Sequence, residues 1–378
     1  MTAEALKRCI DEGDPTGVEV ILKKDPKLAR ARIVWGDLRP PALTYAINAP
    51  FHGTCPGGHQ ATIVRHLLAA GADPEDRGDG PGGETALHAA VSLYEPEITE
   101  VLIDAGADLE ATGGCVDDGP PLLLAIHFAS TECAEICARR GASVYNLPLA
   151  AGLGQDIGKF FREEALTEQA FASHPRSKNP PPRLEAATLL ARALTYAAMH
   201  ERAETLDALL VHGADPARQW EDATPLHWAA WWGGAAGVAR LLEHGADPIA
   251  RDRHHESTPL EWAIVQRDRC RTSTFPKPPG LEAAIDLLIG LSGTDLSQAA
   301  RLGRIERMAE ILASDPDSLD RRFSGGSALH WAVISGEPDA ARWLVEHGAD
   351  RTLLTESGGQ TAREIAEQRG LDDLMDLL

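Results

Sequence analysis

Apolar residues along this chain come in short helix-like runs, and several runs stop at the same punctuation. Gly-Ala-Asp, or a near copy, closes a run at Gly71, Gly106, Gly141 (as Gly-Ala-Ser), Gly213, Gly245 and Gly348. Successive gaps are 35, 35, 72, 32 and 103 residues. They fit one, one, two, one and three copies of a unit of about 33 residues with short insertions. A second mark leads the units: Thr85-Ala-Leu-His-Ala-Ala, Thr224-Pro-Leu-His-Trp-Ala-Ala, Thr258-Pro-Leu-Glu-Trp-Ala and Ser327-Ala-Leu-His-Trp-Ala. Looser copies stand at Pro41-Ala-Leu-Thr-Tyr-Ala, Pro120-Pro-Leu-Leu-Leu-Ala and Arg192-Ala-Leu-Thr-Tyr-Ala-Ala. Thr or Ser caps a helix N-terminus, and Pro is tolerated in the first turn, where its missing N–H has no helical partner. Small Ala residues let neighbouring helices approach, and Gly after a helix takes the left-handed stop conformation.

Through these two motifs the chain resembles the ankyrin repeat family over nearly its whole length. The resemblance implies an all-α solenoid of about ten or eleven helix-turn-helix units with short hairpin fingers. It also implies a concave surface that grips another protein. Residues 3–24 read as the N-terminal cap, and their ending at Asp25-Pro recurs at Asp315-Pro. Gln360 to Gln368 followed by Leu371 to Leu378 reads as the C-terminal cap, which a solenoid needs because an end repeat has only one neighbour.

Three insertions interrupt the array: Phe51 to Gln60, residues 164–185 with Pro175, Pro180, Pro181 and Pro182, and residues 267–280. The second is the longest irregular connection. It divides the chain into an N-terminal sub-array, 1–163, and a C-terminal sub-array, 186–378, each carrying a cap.

Composition narrows the function more than the fold. The chain has 378 residues, 43% apolar and 25% charged, with a formal net charge of −21. That charge repels phosphate backbones and anionic lipid, so neither nucleic acid nor membrane is an expected partner. No run reaches the roughly 18 to 20 apolar residues that a bilayer span needs. The first residues lack a basic segment followed by an apolar core, as a secretion signal would have. Six cysteines are too sparse for a disulfide scaffold, which points to a reducing, cytoplasmic setting. Cys133 and Cys137, four apart, read as two small buried residues on one helix face.

No phosphate-cradling glycine loop, zinc-protease motif or nucleophile elbow is present, and no cofactor is expected. The nearest metal signature is His52-x2-Cys55-x3-His59, with His66 on the following helix; the ligand types suit zinc, but the loop is glycine-rich and no second pair completes it. His88, His227 and His330 occupy what the resemblance implies is a structural position tying neighbouring repeats together. Glu261 replaces that histidine in its own unit, as a local network change or as a functional carboxylate.

The residue after that histidine carries the main functional clue. By the resemblance it faces the concave groove, where this chain places Tyr45, Ala89, Leu124, Tyr196, Trp228, Trp262 and Trp331. Residues four further on share that face. The predicted binding patch is therefore Tyr196, His200, Trp228, Trp232, Trp262 and Gln266, with Trp220 overhanging it and Trp331 further along. Five of eight tryptophans fall between residues 220 and 262, and such rings suit a ligand pocket or a protein hot spot.

Two functions follow. One is a non-enzymatic scaffold whose partner carries a basic patch. The other is a cofactor-independent enzyme or small-molecule-binding protein, with His200, Asp222, His254, His255, Glu256 and Glu261 doing acid–base chemistry on a largely apolar substrate. The scaffold is the reading the resemblance favours.

Overall fold

The computed structural model describes residues 2–56, 58–77, 83–272, 277–291, 293–356 and 358–378. Gly57 of the 51–60 insertion and residues 273–276 of the 267–280 insertion lie outside them. Helices follow in pairs: α1 (Ala3–Asp11) with α2 (Pro15–Lys24), α3 (Ala42–Asn48) with α4 (Gln60–Ala69), α5 (Ala86–Ser92) with α6 (Pro96–Asp104), and α7 (Pro121–His127) with α8 (Thr131–Arg139). A single helix α9 (Leu147–Gly152) comes next. Pairing resumes with α10 (Ala186–Met199) and α11 (Ala203–Val211), α12 (Pro225–Trp231) and α13 (Ala235–Glu243), and α14 (Pro259–Thr272) and α15 (Leu281–Ile289). It continues through α16 (Leu296–Arg301) and α17 (Ile305–Ser314), α18 (Ala328–Ile334) and α19 (Pro338–Glu346), and α20 (Ala362–Gln368) and α21 (Asp372–Met375). The expected all-α repeat architecture is therefore present. One short antiparallel hairpin, β1 (Phe161–Arg162) with β2 (Ala165–Leu166), pairs Phe161 with Leu166.

The two repeated motifs act locally, as their chemistry requires. Thr85, Thr224 and Ser327 each cap a first helix, with the histidine three residues on completing a capping box. In each box the histidine Nδ1 accepts the cap residue's backbone N–H, at 3.2 to 3.3 Å. Nε2 then donates onward to the next finger: His88 to Gly119 O, His227 to Ser257 O, His330 to Leu353 O. One side chain thus closes its own helix and ties down its neighbour. Burial pushes all three imidazoles below their ordinary pKa, which keeps the neutral donor–acceptor form. At the other end of the unit, the glycine of each Gly-Ala-Asp copy has φ between 81° and 102°. A Cβ is strained in that region.

The chain divides into two compact units, Met1–Ala284 and Ile285–Leu378. In the first, first helices stack on first helices (α3 on α5, α5 on α7, α10 on α12, α12 on α14), and second helices stack likewise (α2 on α4, α4 on α6, α6 on α8). Fully buried alanines such as Ala90, Ala125, Ala197, Ala229 and Ala263 sit at these contacts. In the second unit α16 packs on α18 and α18 on α20, over a core that includes Leu296, Met308, Leu329 and Leu344.

The Pro-rich stretch expected to separate two sub-arrays lies inside the first unit. Residues 153–185 stand where the second helix of the α9 repeat would be, and they are pinned to earlier fingers. Asp118 accepts from Ser177 Oγ, Lys178 N and Asn179 N at 2.8 to 3.1 Å. His174 meets Glu110 at 2.6 Å, and Arg176 pairs with Asp108. α9 packs on α10, first helix on first helix as elsewhere in the unit.

Candidate functional site

Helices α12 and α14 and the fingers before them build the aromatic cluster. The finger Trp220-Glu-Asp-Ala223 is a two-residue hairpin whose central residues Glu221 (φ 48°) and Asp222 (φ 63°) are both left-handed. A right-twisting hairpin demands that geometry. The next finger, residues 251–257, wraps around the Asp252 carboxylate. That carboxylate accepts the backbone N–H groups of His254, His255 and Ser257 and the indole N–H of Trp262, at 2.7 to 3.0 Å. Burial alone would raise its pKa; the four hydrogen bonds outweigh burial and hold the acid at about 2.

The predicted patch splits into two layers. Tyr196, His200, Trp220, Trp232 and Gln266 are all buried, between 0% and 9% exposed. Trp228 and Trp262 are half-buried and open to solvent. They are joined by Trp231 and by Val265, which is 49% exposed. Together with His255, Ser257 and Glu261 these four line a cleft of about 500 Å³.

Trp231 and Val265 fall outside the predicted patch because that prediction assigns the groove face to the i+4 neighbour. An i+3 neighbour lies equally close on a helix, and here both repeats make that choice: Trp228 with Trp231, Trp262 with Val265. The i+4 residues turn inward instead. Trp232 lies 6.1 Å from the Tyr94 ring and 6.4 Å from the Phe128 ring. The side-chain amide of Gln266 is enclosed without a hydrogen-bond partner.

Within the cleft the rings stand nearly perpendicular. Trp228 and Trp262 centroids are 5.2 Å apart at 81°, and Trp231 and Trp262 are 5.8 Å apart at 74°. Trp228 Nε1 donates to Trp220 O at 3.2 Å. Beneath them the buried layer is held by Arg192, whose guanidinium pairs with Asp117 at 2.7 Å and donates to Tyr196 Oη at 3.1 and 3.2 Å. The same guanidinium lies 5.3 Å from the Trp220 ring and 5.4 Å from the Tyr196 ring.

Of the acid–base candidates, His255 and Glu261 line the cleft, while His200, Asp222, His254 and Glu256 are not among its lining residues. His200 is enclosed, with Nε2 2.8 Å from Ile126 O and Nδ1 2.7 Å from Thr131 Oγ1; burial lowers its pKa to about 4. His127, a residue the sequence did not single out, is also lowered to about 4, first by burial and then by Arg192. Asp222 and Glu256 are exposed at left-handed turn positions. His254 and His255 sit against each other on the finger, centroids 4.5 Å apart. Glu261 resolves to a structural part: its Oε2 accepts the Thr258 N–H at 2.7 Å, which is the capping-box bond histidine makes elsewhere.

Two other candidates are not among the residues that line the cleft. Trp331 belongs to the second unit, where its Nε1 donates to Phe323 O at 2.8 Å and Arg301 lies 5.0 Å from its ring. In the 52–59 loop, the His52 ring packs on Trp35 at 3.7 Å, the buried Cys55 donates its N–H to Asp11 O, and His59 is exposed at the start of α4. His66 is half-buried within α4. Among the described residues no three His, Cys, Asp or Glu side chains gather as a metal-ligand set.

Residues 51–146, 183–252 and 296–378 match the family model for ankyrin repeats, in three copies. That is more than half of the chain. This chain belongs to the ankyrin repeat family. Ankyrin repeats generally mediate protein–protein interaction, which is the level at which membership speaks to function. Similar sequences include potassium channel AKT1 of Arabidopsis thaliana, 34% identical over 199 residues, covering 50% of this chain and 22% of that protein. Neurogenic locus notch homolog protein 1 of Danio rerio is 31% identical over 156 residues, 40% of this chain and 6% of that one. Ankyrin repeat and SOCS box protein 6 of Homo sapiens is 31% identical over 157 residues, covering 40% and 30%. The chain thus spans less than a third of each of these relatives. Among solved structures, the human ASB11 ankyrin repeat domain aligns with a TM-score of 0.35 and 16% identity, covering 76% of this chain and 98% of that one. The Bcl-3 ankyrin repeat domain aligns at 0.34 and 21%, covering 75% and 97%. No helix among the described residues is long and apolar enough to cross a membrane.

Proposed function

We propose that this ankyrin array is a protein-interaction scaffold whose partner docks on the cleft formed by Trp228, Trp231, Trp262 and Val265. The observation that carries this reading is the cleft itself: about 500 Å³ of space walled by three half-buried indoles on two packed helices. Tryptophan supplies large contact area with two rotatable bonds, and such rings dominate interface energetics. Helix packing and the Asp252-braced finger hold them in place before a partner arrives, which lowers the ordering cost of binding. The net charge of −21 favours a partner with a basic surface and speeds its encounter. Six free cysteines fit a reducing, cytoplasmic compartment.

Affinity capture from source lysate tests the site. A partner held by the wild-type chain is expected to be lost, with roughly a thirtyfold rise in Kd for about 2 kcal/mol, on Trp228→Ala or Trp262→Ala. Circular dichroism verifies that each variant remains folded. Undiminished capture by both folded variants contradicts the proposal.

A further inference from the structure

We infer that residues 171–184 form a displaceable strap, which covers in cis a finger surface that takes a basic, non-helical segment of a partner protein. The surface under the strap shares no lining residue with the α12–α14 cleft, and the inference stands whether or not that cleft binds a partner.

The make-up of the strap is the first support. A chain with 57 acidic residues and a net charge of −21 has no Asp or Glu between residues 169 and 184, where His174, Arg176, Lys178 and Arg183 fall. Pro175, Pro180, Pro181 and Pro182 remove backbone donors and block helix and sheet ladders. Accordingly, neither helix nor strand forms from Ala172 to Glu185.

The way it is held is the second. Residues 174–179 lie against three carboxylates of the finger between α6 and α7. Glu110 meets the His174 ring at 2.6 Å, and Asp108 accepts from both terminal nitrogens of Arg176. Asp118 accepts from the Ser177 hydroxyl and from the backbone N–H groups of Lys178 and Asn179. The finger thus reads a cation, an arginine fork, a hydroxyl and a stretch of main chain, as it would read a separate peptide. Of residues 171–184 only His174 is buried, and no apolar side chain of the strap belongs to the core. Exposed ion pairs add little stability and weaken with salt. Such a segment opens without unfolding the helices beneath it.

The fit beneath the strap is the third. A cavity of about 50 Å³ remains between Phe171, Pro181 and Leu184 on the strap side and Leu123, Tyr145 and Leu189 on the array. A gap forfeits dispersion contacts, so a segment with a bulkier apolar side chain at that point gains what the strap lacks. A tethered segment competes at an effective concentration on the order of millimolar. An incoming segment therefore takes the surface only where it binds tighter or where the strap is loosened.

Peptide binding to the full chain tests this. The probe is a fluorescein-labelled peptide with the strap's own sequence, Phe171 to Leu184, and a scrambled peptide of the same composition is its control. Arg176→Glu sets a carboxylate against Asp108 and opens the strap. Tryptic cutting after Lys178 reports the opening, and circular dichroism reports the fold. Arg176→Glu is expected to be cut at least about tenfold faster than wild type and to bind the peptide at least about tenfold tighter. Adding Asp118→Ala should remove the peptide binding while cutting stays fast. The scrambled peptide should bind at least about tenfold more weakly than the probe. Should Arg176→Glu fail to fold, His174→Ala with Arg176→Ala takes its place with the same expectations. Equal peptide binding by wild type and the opened chain, or cutting no faster in the opened chain, overturns the strap as a competitor. No binding to the opened chain, equal binding of the scrambled peptide, or binding indifferent to Asp118→Ala overturns the docking surface.

Discussion

Acidification from pH 7 to pH 4 is expected to strip several kcal/mol of stability from the first unit, through two histidines that stay neutral in the fold. His200 and His127 are both held at about 4, chiefly by burial, whereas an unfolded histidine titrates near 6.5. Below pH 6.5 the unfolded chain therefore binds protons that the folded chain refuses. The stability these groups lend is complete above 6.5 and falls continuously until the folded imidazoles protonate near 4. A gap of that size is worth roughly 3 kcal/mol per histidine. His200→Gln isolates one share, because a glutamine amide can still donate to Ile126 O and accept from Thr131 but does not titrate. Urea unfolding followed by tryptophan fluorescence at pH 7, 5.5 and 4.5 should show a pH slope shallower by up to about 1.4 kcal/mol per unit in this variant. An unchanged slope contradicts the assignment.

Gly237→Ala is expected to destabilise the protein by about 2 to 3 kcal/mol, against the direction that helix propensity predicts. Alanine inside a helix is favoured over glycine by about 1 kcal/mol. Here, however, α13 approaches α10 so closely that a Cβ at Gly237 would stand 2.1 Å from Ala198 O and 2.7 Å from Ala198 C. Those are backbone atoms of a packed helix and cannot turn aside as a side chain would. Overpacking of that kind costs about 1 to 3 kcal/mol and at times more, so sterics outweigh propensity. Thermal unfolding of the variant reads the sign directly, and a raised Tm contradicts the argument.

The repeat was legible because its signals are local. A Thr-x-x-His box and a left-handed glycine each act within one turn, so a short motif suffices to announce them. Glu261 was legible by the same rule: Thr258-x-x-Glu261 is itself a capping box, and the histidine's departure needed no functional cause. The tryptophan cluster was also visible in the sequence, but its division into layers was not. Whether the i+3 or the i+4 neighbour of Trp228 faces outward depends on Tyr94 and Phe128, more than 100 residues earlier in the chain. His200 was misplaced for a related reason. Its helix α10 and helix α7 both crowd Gly152 of α9, where a Cβ would stand 2.7 Å from Ile126 Cγ2 and 3.5 Å from Tyr196 Cβ, and His200 bonds Ile126 O.

The central claim is that partners dock at the α12–α14 cleft, and site-specific photo-crosslinking tests it most directly. A photoreactive residue placed at Val265, on the cleft wall, should yield a discrete adduct with a partner protein from source lysate. Adding Trp262→Ala should remove that adduct. The same group at Val211, at the end of α11 and 86% exposed, should yield none. An adduct formed from Val211 and absent from Val265, or one indifferent to Trp262→Ala, would place the binding surface elsewhere on the array.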